Sequence, residues 1–221
     1  MSDSLKNVRV FTQSAIRLEG AGGTVAYFDP FALTEEEAVH DADYVLVTHA
    51  HYDHFSPEDY ARVAGEKTVV VAPASMAGEV AGLDAAETHL MVAGERLELP
   101  GLCVEAVPAY NVEPDRLGMH PRENGWLGYV VTLDGEPTRS YVSGDTDQNP
   151  DNEAVRCDVA LVPIGGTYTC DPRQAAAFVN ALRPAAAVPT HYGSIVGAYA
   201  DFDAFAAEVD PAIEVVKKLE R

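Results

Sequence analysis

Between His49 and His54 the chain packs three histidines and an aspartate into six positions, His49-Ala50-His51-Tyr52-Asp53-His54. Imidazole nitrogen and carboxylate oxygen together suit a transition metal, zinc first, with manganese or iron as alternatives. A single histidine is an ordinary surface or core residue, but four ligating side chains in one short turn make a metal-binding loop. Two later segments repeat the arrangement. Asp145 lies in Ser143-Gly144-Asp145-Thr146-Asp147, and His191 lies in Pro189-Thr190-His191-Tyr192-Gly193. In all three, a strand-forming run ends and a potential ligand follows at once, so one rim collects them.

The elements that position these donors are legible locally. Tyr44 to Thr48 is a short apolar run that reads as a buried strand, and Ser56-Pro57 supplies a helix cap and a first helical residue. The donors are therefore the turn between two rigid elements. Val8 to Phe11, Ala15 to Leu18 and Thr24 to Phe28 read as an opening antiparallel meander, stopped by Asp29-Pro30. Thr34 to His40, with Glu37 three residues after Thr34, reads as a short capped helix. Helices over Pro57 to Ala64 and Ser75 to Val80 alternate with a strand over Thr68 to Ala72, which is an α/β pattern. Strands over Leu97 to Leu99 and Cys103 to Pro108 follow. Trp126 to Leu133 and Thr138 to Ser143 make a hairpin about Asp134-Gly135. Val159 to Ile164 and Ala185 to Val188 are the last core strands. Asp171-Pro172-Arg173-Gln174 opens a helix between them, Phe202 to Val209 forms a final helix, and Ile213 to Val216 an edge strand. His40 and His89 are assigned no chemistry.

The His-x-His-x-Asp-His spacing, with Gly-Asp-Thr-Asp and the Pro-Thr-His-Tyr-Gly segment, resembles the metallo-β-lactamase superfamily. It is most similar to that superfamily's small bacterial zinc-dependent hydrolases and distantly similar to the ascorbate-6-phosphate lactonases. The resemblance implies one αββα sandwich domain over residues 1–221. It also implies one or two zinc ions, one on His49 and His51, a second on Asp53, His54 and His191, and Asp145 between them. Family members place a third histidine for the first metal after the strand that here ends in Pro108-Ala109, where this chain has Tyr110-Asn111.

Asn111 to Gly125 is irregular and long enough to be a functional loop. His120 within it either folds back as the missing ligand, contacts substrate, or is an exposed loop histidine. Arg116 and Arg122 beside it are expected to form a positive patch for a substrate phosphate or carboxylate. Asp53 is expected to orient the attacking water. A phenol from Tyr110 or Tyr192 either serves the leaving group or oxyanion, or simply packs.

With 221 residues, 47% of them hydrophobic, the chain can bury a sizeable core. A net charge of −20 opposes nucleic acid and anionic membrane as partners and leaves a small-molecule substrate. MSDSLKNVRV lacks a leader's apolar core and no stretch reaches a membrane span, so a cytoplasmic protein is expected. Cys103, Cys157 and Cys170 are odd in number and far apart, which reads as reduced and structural. Nothing in the composition speaks to oligomeric state. The resulting expectation is a metal-dependent hydrolase of a small ester, lactone or phosphodiester. The alternative is a non-catalytic metal- or metabolite-binding module with an incomplete first site.

Overall fold

Alternating apolar side chains build two sheets, described over residues 5–221 in a computed structural model. Residues 1–4, the start of the segment read as lacking a leader's core, lie outside the described residues. The first sheet takes β1 (Val8–Val10), β2 (Ile16–Glu19), β3 (Val25–Phe28), β4 (Ala42–Leu46), β5 (Ala64–Pro73) and β6 (Glu87–Met91) in that order. Its first three strands are antiparallel, and β3 to β6 are parallel. The second sheet runs from β7 (Arg96–Leu99) through β8 (Leu102–Pro108), β9 (Leu127–Leu133), β10 (Ser140–Val142), β11 (Val159–Pro163) and β12 (Ala186–Thr190) to β13 (Glu214–Val215). Here β7 to β10 are antiparallel and β10 to β13 parallel.

The period-two side-chain pattern sorts residues between layers. Tyr44 and Leu46 of β4 join the core between the sheets, whereas Val45 and the following Val47 face an outer layer. There they meet Tyr60 and Val63 of α1 (Pro57–Val63) and Val80 of α2 (Ala77–Val80). On the far side, α3 (Pro172–Leu182) buries Phe178 and Val179 against the second sheet, and α4 (Asp201–Glu208) buries Phe205. The Phe178 ring meets Tyr141 edge-on at 6.4 Å. The layering is helix, sheet, sheet, helix, as expected.

Several local expectations shift. Thr34 to His40 yields only a 3-10 turn, Glu35–Glu37. The reciprocal cap forms, with Thr34 N donating to Glu37 Oε2 at 2.7 Å, but Glu37 is also claimed by Arg221, and His40 leaves in the left-handed region at φ 50°. The helix expected over Pro57 to Ala64 ends one residue earlier, at Val63. Ala64 already turns extended and opens β5, so Gly65 falls inside the strand. Asp134 and Gly135 both have positive φ, as the hairpin turn requires, and Asp134 also accepts from Gly22 N at 2.7 Å, clasping one sheet's turn to the other's. All three cysteines are free.

Gly128 marks a close approach within the second sheet. A Cβ there would fall on the Ser143 carbonyl oxygen and lie 2.9 Å from the Val142 oxygen. Gly128→Ala is expected to destabilise the protein by about 1–3 kcal/mol, read as a lower melting temperature. An unchanged melting curve would show that β9 and β10 yield at this point.

Candidate metal centre

The chain leaves β4 through Thr48 into the donor-bearing turn, which α1 closes with Asp59 N donating to Ser56 Oγ at 3.2 Å. His54 N and Phe55 N both donate to the His51 carbonyl oxygen, which curls the turn so that its rings face inward. His49, His51 and His120 each bring one ring nitrogen into a group whose atoms lie within 4.8 Å of one another, and Asp53, His54 and His191 form a second such group. His49 Nε2 and His51 Nδ1 are 3.1 Å apart, close to the ~3.3 Å edge of a tetrahedron with metal–nitrogen bonds of about 2.0–2.1 Å.

Asp145 lies between the groups. Its Oδ1 is 3.4 Å from His54 Nε2, while its Oδ2 is 3.4 Å from His120 Nε2 and 3.3 Å from His191 Nε2. Asp53 Oδ2 is 3.3 Å from the same His191 nitrogen. Buried His54 Nε2, His120 Nε2 and Asp145 Oδ1 make no hydrogen bond. Each such orphan costs about 1–3 kcal/mol, and three converging on one spot with a carboxylate and further imidazoles fit a cationic group.

The outward ring nitrogens are fixed by partners that set the tautomer. His54 Nδ1 donates to Asp29 Oδ2 at 2.7 Å. Thr48 Oγ1 donates to the same Asp29 oxygen at 2.6 Å, so it can accept from His49 Nδ1 at 2.9 Å. His120 Nδ1 donates to Asn111 Oδ1 at 2.7 Å. In each case Nε2 is the nitrogen turned toward the cluster. Trp126 packs 4.9 Å from both His49 and His51, closing the outer side of the first group.

Electrostatics separates these imidazoles. Burial holds His49 well below the ordinary 6.5 and lowers His51, leaving both neutral with free lone pairs. Burial pushes the Asp145 carboxyl up, but His191 and His54 outweigh it and hold it well below the usual carboxylate range. Asp53 is lowered too, its burial outweighed by the hydrogen bond from His191 and the charge of His54. Burial also disfavours a proton on His54, yet Asp145 and Asp29 together hold that imidazole well above 6.5.

Of the side chains expected at the site, the structure brings together His49, His51, Asp53, His54, His120, Asp145 and His191. It places four others elsewhere. Tyr110 donates its hydroxyl to Asp151 Oδ2 at 2.8 Å, beneath the Arg122 guanidinium, which itself pairs with Asp151 at 2.9 Å. Arg116 is buried, its Nε on Asp147 Oδ1 at 2.8 Å and its second arm on Gln174 at 2.7 Å. Tyr192 is fully buried in the core. Tyr110, Arg116 and Arg122 are thus held by partners away from the donors, while the buried Tyr192 hydroxyl makes no hydrogen bond.

Four residues at the site escaped sequence reasoning. Asp29 and Thr48 support His49 and His54, although Asp29-Pro30 looked like a plain strand stop. Asn111 stands where the family's third histidine was expected, and it holds His120 by its side chain and by its N–H, which donates to the His120 carbonyl at 2.9 Å. Gln13, buried with φ 48°, accepts from His191 N at 2.9 Å and places its amide 3.4 Å from His191 Nε2. No periodicity or motif marks it.

A family profile described as a β-lactamase superfamily domain matches residues 21–192. A UPF0173 metal-dependent hydrolase of Thermococcus kodakarensis is 35% identical, covering 95% of this chain and 94% of that one. Another, from Pyrococcus abyssi, is 33% identical over the same shares. Among solved structures, a Parabacteroides distasonis protein described as a metal-dependent hydrolase superposes with a TM-score of 0.81, at 27% identity, covering 96% of this chain and 93% of that one.

The raised His54 has a consequence for metal-stripped protein. A group with a folded pKa above its unfolded 6.5 contributes stability that is complete below 6.5 and lost as pH rises through the folded value. Stripped protein should therefore melt at lower temperature as pH is raised above 6.5, and metal uptake near pH 7 should release a proton. Titration in buffers of different ionisation enthalpy reads that release. Uptake without proton release would place His54 in its neutral form beforehand.

Proposed function

Since this chain belongs to the β-lactamase superfamily domain family and is a metal-dependent hydrolase within it, we propose that it cleaves a small ester, lactone or phosphodiester at a centre of two transition-metal ions, preferentially zinc. His49, His51 and His120 would hold one ion, Asp53, His54 and His191 the other, and Asp145 both. Asp145 carries this reading, because a single buried carboxylate whose two oxygens face both groups of donors suits a shared ligand. When bound, the ions supply Lewis acidity toward the bond attacked and acidify water from its bulk pKa of ~15.7.

The chain's own residues do the rest. Asp53, ionised at the cavity, orients the attacking water and takes up its proton on the carboxylate. Its companion His191 is fixed from behind by the Gln13 carbonyl, so the carboxylate keeps its direction through the reaction. The phenols that line the cavity are Tyr52 and Tyr168, and a leaving-group or oxyanion contact falls to them rather than to Tyr110 or Tyr192. A non-catalytic binding module drew its support from the absent third histidine, and His120 Nε2 now stands beside His49 and His51. Among the described residues no helix is long and apolar enough to cross a membrane.

Elemental analysis of protein expressed with supplemented zinc should find about two ions per chain, falling toward one in His120→Ala. Asp53→Asn should lower kcat/KM on a panel of esters, lactones and phosphodiesters by ~10²–10⁴-fold. Protein without transition metal after supplementation would refute the proposal, and full turnover in Asp53→Asn would remove the role given to that carboxylate.

A further inference from the structure

Around the metal-facing cavity the surface turns apolar. The cavity is about 250 Å³, near the small end of the ligand-site range that starts at ~300 Å³. Beyond the ligating residues it is lined by Tyr52, Met119, Tyr168 and Ile195, each between 37% and 67% exposed. Each comes from a different loop, those following β4, β8, β11 and β12. Of the ten large apolar side chains exposed among the described residues, these four meet at the one cavity. Exposed apolar surface concentrated at one cavity marks a site that a ligand covers.

Charge is equally one-sided. No lysine or arginine lines this cavity. Arg116, on the loop that carries Met119, is turned inward to Asp147 and Gln174, and Arg122 lines a separate groove with Asp151. The chain as a whole carries −20. A charged phosphate or carboxylate on the remote part of a substrate would meet apolar side chains and a repelling field, with no partner for its charge.

The geometry points to a substrate that is uncharged and apolar beside its scissile bond, an aryl or short alkyl ester or lactone rather than a phosphorylated or carboxylated one. This rests on the hydrolytic reading above and narrows its substrate class. Tyr52 and Tyr168 offer ring faces and edges to an aromatic or alkyl group, while Met119 and Ile195 supply adaptable apolar contact. The reacting carbonyl is thereby held over the donors without any ionic clamp.

Binding tests this without turnover. Benzylacetone, a neutral aromatic ketone that cannot be hydrolysed, and its para-sulfonated analogue are titrated against metal-loaded protein by calorimetry or ligand-observed NMR. Benzylacetone should bind saturably and at least about tenfold more tightly than the sulfonate. Tyr168→Ser and Ile195→Ser should each weaken it about fivefold, with metal content unchanged. Equal or tighter binding of the sulfonate, no saturable binding of benzylacetone, or serine variants that bind it like the parent would each overturn the inference. A silent hydrolysis panel beside intact benzylacetone binding would count against the hydrolytic reading alone.

Discussion

A carboxylate sealed from water organises this protein. Asp29, at the end of β3, is wholly buried, and burial pushes its carboxyl up from the ordinary range. It persists there because three donors converge on it: Thr48 N at 2.8 Å, the Thr48 hydroxyl at 2.6 Å and His54 Nδ1 at 2.7 Å. An acceptor in such a place tolerates no loss of partners, so the end of β3, the end of β4 and the donor turn are bound into one unit. Asp147 does the same for the opposite wall. Its Oδ2 accepts from Val112 N and Glu113 N while Arg116 holds its Oδ1, fastening the loop of His120 to the segment of Asp145. The donors stay in place because two acidic residues behind them are saturated.

Such an arrangement stores cost. Gln13, Asp29, Thr167 and His191 all occupy positive φ, where a residue with a Cβ sacrifices about 1–2 kcal/mol, and all four lie at or beside the cluster. The imidazoles are crowded as well, His54 lying tilted against His49 with centroids 3.9 Å apart and stacked on His191 at 5.2 Å. The surroundings over-determine these conformations. Gly165 admits the His191 backbone so closely that a Cβ would strike its carbonyl oxygen, and the shared core of both sheets allows no relaxation.

How far the sequence reveals this depends on the range of the interaction concerned. The donor turn, Asp145 and His191 are legible because a strand end followed at once by a ligand type is a local pattern, and the αββα layering follows from alternation and helix caps. Arg116, Arg122 and Tyr110 have the right chemistry for a site, yet their directions are set by partners such as Asp147, 31 residues from Arg116, and Asp151, 41 residues from Tyr110. Tertiary pairing of that kind leaves no periodic trace. His120 was legible only as one of three options, and Asn111, whose side chain accepts from its Nδ1, looked like a vacancy.

The absence of basic side chains at the cavity bears on what happens after bond cleavage. A neutral ester that enters such a mouth departs as an alcohol and a carboxylate. Beyond the metal-binding donors the newly formed anion finds no guanidinium or ammonium to detain it, and the field of a strongly acidic chain opposes its retention at the mouth. On the proposed chemistry the acid product is therefore held by the ions alone, and the mouth that admitted an uncharged reactant adds nothing to that hold.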